Sequence, residues 1–147
     1  MRGVAAERLA VASLRLLAAS FAAVGILFIA APDSVLDSLT DVGDSLGSFA
    51  AATPSDERLW LGLGFAYMVV IAAICLVASF DVVRYRPLLL VLAAGKAASS
   101  LSALGFYAFD RDVFAYLVNF VVDGLLVGVA IWLWMLAGRA GELAAPS

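Results

Sequence analysis

The chain has 147 residues, 65% hydrophobic and 14% charged, with a mean hydropathy of +1.06; soluble domains are about half apolar and a quarter charged. The absence of histidine excludes His-ligated haem or zinc and Ser-His or Cys-His nucleophilic pairs. A lone cysteine, Cys75, excludes an intrachain disulfide, a C-x-x-C redox pair and an iron–sulfur cluster held by this chain alone, and a formal charge of −3 gives nucleic acid no basic face.

A membrane-crossing helix needs roughly 20 apolar residues, so the length allows about four crossings. The expected fold is an all-α, single-domain bundle of four transmembrane helices. The first span, 9–31, contains Arg15. A signal peptide is the rival reading of this segment, with Arg2, Arg8 and Arg15 as its basic region. Phe28 or Ile29 at the −3 position and the immediate Pro32 fit an uncleaved helix better.

Between the first and second spans, Leu36, Leu39, Val42, Leu46 and Phe49 recur at helical steps while Asp33, Asp37, Asp41 and Asp44 gather opposite. This pattern predicts an amphipathic surface helix over about 33–47, capped by Asp33 or Ser34 and ended at Gly47. Its apolar face would rest on the bundle mouth or in the membrane interface. The acidic face matches no calcium loop, and no metal or cofactor is expected.

The second span, 59–80, carries no charge, and Trp60 suits the interfacial belt at its outer start. Cys75 within it is a small packing residue. The third span, 87–109, starts at a tolerated Pro87 and contains Lys96; the fourth, 113–137, contains Asn119 and Asp123, with Trp132 and Trp134 near its end. Only Asp110, Arg111 and Asp112 separate these two spans, which must therefore be antiparallel neighbours.

Arg2, Arg8, Arg84, Arg86 and Arg139 fall on one side of the four spans, against Arg58 and Arg111 on the other. The positive-inside rule then puts both termini in the cytoplasm. Abundant Ala, Leu, Val, Arg and Asp beside a single Lys and a single Asn suggest a high-GC bacterial genome, hence a bacterial inner membrane.

Each ionisable group inside a bilayer costs about 3 kcal/mol on insertion scales and is a functional candidate by default. At 1.5 Å of rise per residue, Lys96 lies roughly 13 Å and Asp123 roughly 21 Å from the cytoplasmic ends of their helices, within reach of a lysine side chain. Tyr116, Asn119 and Asp123 share one helix face; Lys96, Ser100, Ala103 and Tyr107 share another, with Ser99 and Ser102 alongside. Ser20 and Tyr67 fall at similar depth. Lys96, Asp123, Asn119, Ser99, Ser100, Tyr67, Ser20 and Tyr116 thus form the candidate intramembrane polar site. Arg15 either snorkels to the headgroups or joins Asp123 from below. Gly124 and Gly128 form a G-x-x-x-G step expected to support close helix packing, within the chain or between copies.

Four helices, both termini inside, Pro32 after the first span, the Asp56-Glu57-Arg58 run before the second and the span spacing together resemble the DoxX-like small bacterial membrane proteins over most of the chain. The resemblance is architectural; it implies a link to redox or quinone-associated machinery, and no functional residue is carried over from it. Small dual-topology multidrug exporters also have four helices but place an essential carboxylate in the first span, where this chain has Arg15.

Three functions compete. The leading expectation is a non-enzymatic structural or accessory membrane protein whose Lys96–Asp123 pair holds the bundle together. The second is a small transporter or proton-coupled carrier using the midplane polar site. The third is a quinone- or lipid-associated redox partner limited to Lys, Asp, Tyr and Ser as acid–base groups. The expected partners are the lipid bilayer and a second copy or a membrane complex.

Overall fold

The computed structural model describes residues 2–50 and 58–144. Five helices follow one another: α1 (Arg2–Ala30), α2 (Pro32–Leu46), α3 (Arg58–Ala78), α4 (Arg86–Phe109) and α5 (Phe114–Ala144). All except α2 are long and apolar enough to cross a membrane. Asp56 and Glu57, part of the run noted before the second span, lie outside the described residues.

The helix bounds follow the expected spans with two extensions. α1 starts at Arg2 rather than residue 9, and α5 runs to Ala144 rather than residue 137. Hydropathy marks where a helix meets oil, whereas backbone hydrogen bonding continues through polar residues such as Arg8 and Arg139. α3 ends at Ala78, two residues short, where Ser79 turns its hydroxyl back to the Leu76 carbonyl at 2.7 Å.

α2 forms as its periodicity predicts, but its cap is Ala31 rather than Asp33 or Ser34, and no side chain caps it. Pro32 takes the first helical turn, where its fixed φ and missing N–H cost nothing. Asp33 instead places its charge in that turn, against the positive end of the helix dipole. The seated face also differs from expectation: Val42 is 49% and Leu46 70% exposed, while Gly43 is buried against Phe114. A Cβ at Gly43 would stand 2.8 Å from the Phe114 Cβ, so the missing side chain rotates the contact stripe onto Val35, Leu36, Leu39 and Gly43. Just beyond α2, the Phe49 and Phe114 rings lie 5.1 Å apart and the Ala50 N–H donates to the Asp112 carbonyl at 3.3 Å. These contacts hold the end of the α2 segment on the α4–α5 turn.

α1 packs most extensively on α3, and α4 on α5; α1 and α5 join the two pairs. α1 and α3 close up at Gly25, where a Cβ would come within 2.9 Å of the Met68 Cβ. The core is concentrated toward the end where α1 begins and α5 ends, and there Ala10, Leu14, Val82, Leu89, Leu133 and Ala137 are buried together. At that end Arg86 lies over the Trp134 ring, 3.8 Å from its centroid, and its Nε–H donates to the Trp134 carbonyl at 2.8 Å. Toward the α2 end, α1 separates from the α4–α5 pair and leaves a cleft.

Candidate functional site

α4 and α5 are joined by polar contacts from mid-helix to their connecting turn. Lys96 Nζ donates to Asp123 Oδ1 at 2.9 Å. One turn further along α4, the Ser100 hydroxyl donates to the Phe120 carbonyl at 2.8 Å, and Asn119 Nδ2 donates to the Ser99 hydroxyl at 3.3 Å. Nearer the turn, the rings of Phe106 and Tyr116 meet at 5.8 Å. The short connection forces this pairing, because 110–113 leave no length for the two helices to diverge.

The ion pair is deeply sequestered: the side chains of Lys96 and Asp123 are 2% and 6% exposed. The ammonium also lies 4.7 Å from the centroid of Phe21 on α1 and 5.4 Å from that of Tyr67 on α3, both within cation–π range. Lys96 is thereby the point at which side chains of α1, α3, α4 and α5 converge. An ammonium has three N–H donors, and among the described residues Asp123 Oδ1 accepts one of them. Asp123 Oδ2 accepts no hydrogen bond among the described residues.

The Tyr67 hydroxyl is buried without a hydrogen-bond partner among the described residues. It faces the backbone of α4 at Gly95, where a Cβ would stand 3.3 Å away. Glycine at that position admits the phenol edge between α3 and α4.

The cleft has a volume of about 770 Å³, and the Lys96–Asp123 pair forms part of its lining. Its walls come from α1, α4 and α5, with Met68 from α3, and α2 contributes Val35, Leu36 and Leu39. Ser20, Ser99, Ser102, Tyr116 and Asn119 supply the other polar groups of the lining. The lining residues Val24, Phe28, Phe106 and Val122 are also exposed, so the cleft opens sideways to the surroundings of the bundle. About 770 Å³ lies within the usual size of small-molecule sites, roughly 300–1,000 Å³.

Of the eight residues expected to form the polar site, Lys96, Asp123, Asn119, Ser99, Ser20 and Tyr116 all line this cleft. Ser100 sits behind it as a helix-to-helix bond, and Tyr67 meets the ammonium from the side of α3. Arg15 does not join Asp123: it is exposed on a face of α1 shared with Glu7, Arg8 and Val11. Gly124 approaches Ser100, but Gly128 has nothing within 4 Å. The G-x-x-x-G step is therefore not a packing seam within this chain, because α5 turns Gly128 away from its neighbours. The close approaches occur instead at Gly25, Gly43 and Gly138.

Phe21 and the Arg86–Trp134–Gly138 cluster escaped the sequence reading. One apolar aromatic among many carries no mark of its partner. Arg86 reads in the sequence only as a cytoplasmic-side charge, and its partner Trp134 lies 48 residues away on another helix. Among the described residues, no three His, Cys, Asp or Glu side chains gather as a metal site would require. Comparison of the chain with protein families, with curated proteins and with solved structures finds no match.

Proposed function

We propose that the protein is a four-span protein of a bacterial inner membrane, with both termini cytoplasmic, that binds a small molecule in the cleft floored by Lys96 and Asp123, as a carrier or as the binding subunit of a membrane complex. The observation that carries this reading is that the ion pair borders an open cleft of about 770 Å³. A pair that only fixes helix register works equally well in a closed core, and burying two charges is weak evidence for a gain in stability. A charged group that both lines a cavity and sits at membrane depth is a default ligand or ion site. The orientation is supported by Arg8, Arg84, Arg86 and Arg139 at the end where α1 begins and α5 ends, against Arg58 and Arg111 at the other.

A second reading, in which the pair is a lock, draws support from the accompanying Ser100–Phe120 and Ser99–Asn119 bonds. Cysteine accessibility separates the two. In a Cys75→Ala background reconstituted in vesicles, Ser99→Cys and Asn119→Cys are expected to react with a small membrane-permeant thiosulfonate, whereas Leu133→Cys in the core stays inert. Lining positions as unreactive as Leu133→Cys would sink the binding reading.

A further inference from the structure

The floor of the cleft has no net charge, and its walls are mostly apolar; together these select a class of ligand. Lys96 and Asp123 sum to zero, and both are more than nine-tenths buried. An anionic head group entering here gains the ammonium but confronts the Asp123 carboxylate, and a cationic head gains the carboxylate but confronts the ammonium. At such depth either like-charge encounter is poorly screened.

An uncharged hydroxyl avoids both encounters. It can donate to Asp123 Oδ2, which accepts no hydrogen bond among the described residues, and accept from an N–H of Lys96 that Asp123 Oδ1 does not use. Above this floor, Leu27, Phe28, Val35, Leu36 and Leu39 provide an apolar wall formed by α1 and α2. The exposed lining residues Val24 and Val122 leave the cleft open at the depth where acyl chains lie, so a lipid-soluble ligand can enter sideways.

Resting on the binding reading above, we infer that the cleft takes an uncharged amphiphile with a hydroxyl head and a single apolar body. A long-chain alcohol, an isoprenoid alcohol and a monoacylglycerol share this chemistry.

The test uses the full chain in phosphatidylcholine vesicles and three photoreactive probes with the same hexadecyl body, ending in a hydroxyl, a carboxylate or a trimethylammonium group. The hydroxyl probe is expected to label cleft residues about tenfold more than either charged probe. Competition by an unlabelled isoprenoid alcohol or by monooleoylglycerol then distinguishes the sources.

Asp123→Asn should shift the preference to the carboxylate probe and Lys96→Gln to the ammonium probe, because each leaves the floor with one net charge. Val122→Trp, which adds bulk at the open side of the cleft while leaving Lys96 and Asp123 in place, should cut hydroxyl-probe labelling about fivefold while helical content is unchanged. Equal labelling by all three probes, preference for a charged one, or labelling outside the cleft overturns the inference. If Ser99→Cys and Asn119→Cys react yet the hydroxyl probe is not preferred, only the ligand class falls. If they stay inert, the binding reading itself falls.

Discussion

Gly138 makes room for Arg86: a Cβ at Gly138 would lie 2.7 Å from the guanidinium carbon. The guanidinium cannot simply swing aside, because its Nε bonds the Trp134 carbonyl and its plane lies over the Trp134 ring. Gly138→Ala is expected to destabilise the protein by about 1–3 kcal/mol, the worth of a charged hydrogen bond with part of a cation–π contact. Gly128→Ala, at a position with nothing within 4 Å, should be neutral or stabilising by up to about 1 kcal/mol. Thermal unfolding of the two variants in detergent checks the contrast.

Gly43 performs the same service for α2. Substitution by Ala puts a methyl 2.8 Å from the Phe114 Cβ and 2.9 Å from its Cγ, which must push α2 off α5 at a cost of about 1–3 kcal/mol. Phe114→Gly, which removes both clashing atoms, should recover part of that loss in the double variant, although it is itself destabilising because the Phe49 contact goes with the ring. A double-mutant cycle on unfolding free energy measures the recovery; additive losses would show that the two positions do not press on each other.

The ion pair predicts a large coupling. Lys96→Leu or Asp123→Leu alone abandons a buried charge and should cost about 3–5 kcal/mol, whereas the Leu–Leu double change replaces the pair with apolar volume and should stay within about 2 kcal/mol of the parent. Because the pair also floors the cleft, the double variant should remain folded and lose hydroxyl-probe labelling. Stability and labelling lost together in each single variant, and both retained in the double, would assign the pair to the lock reading.

Orientation is checked with single cysteines in the Cys75→Ala background. Asp37→Cys on α2 should react with an impermeant maleimide added to intact cells, and Asp81→Cys in the α3–α4 turn should react only after lysis. The reverse pattern would invert the topology inferred from the arginines.

The helical architecture was legible because oil imposes a coarse rule: every spanning backbone must satisfy its own hydrogen bonds, so length and hydropathy nearly dictate the elements. Lys96 and Asp123 could be paired on depth alone, since a four-residue connection fixes the register of α4 against α5. What depth arithmetic could not supply was rotation about each helix axis. Gly128 and Gly25 look alike in a sequence rich in small residues, yet one faces outward and the other receives Met68. The position of α1 was likewise hidden, because its contact with Lys96 is made by Phe21, one of nine phenylalanines. The cleft itself arises from the separation of α1 from the α4–α5 pair, a relation between distant elements that no local pattern encodes.

That one-sided separation governs how the molecule can flex. Leu14, Leu133 and Ala137, all fully buried, clamp one extremity shut, so any widening must swing like the jaws of a clothes peg about a pivot near Ala18 and Phe21. α2, joined to α1 through Ala31 and leaning on Phe114, ties the two sides of the open end together.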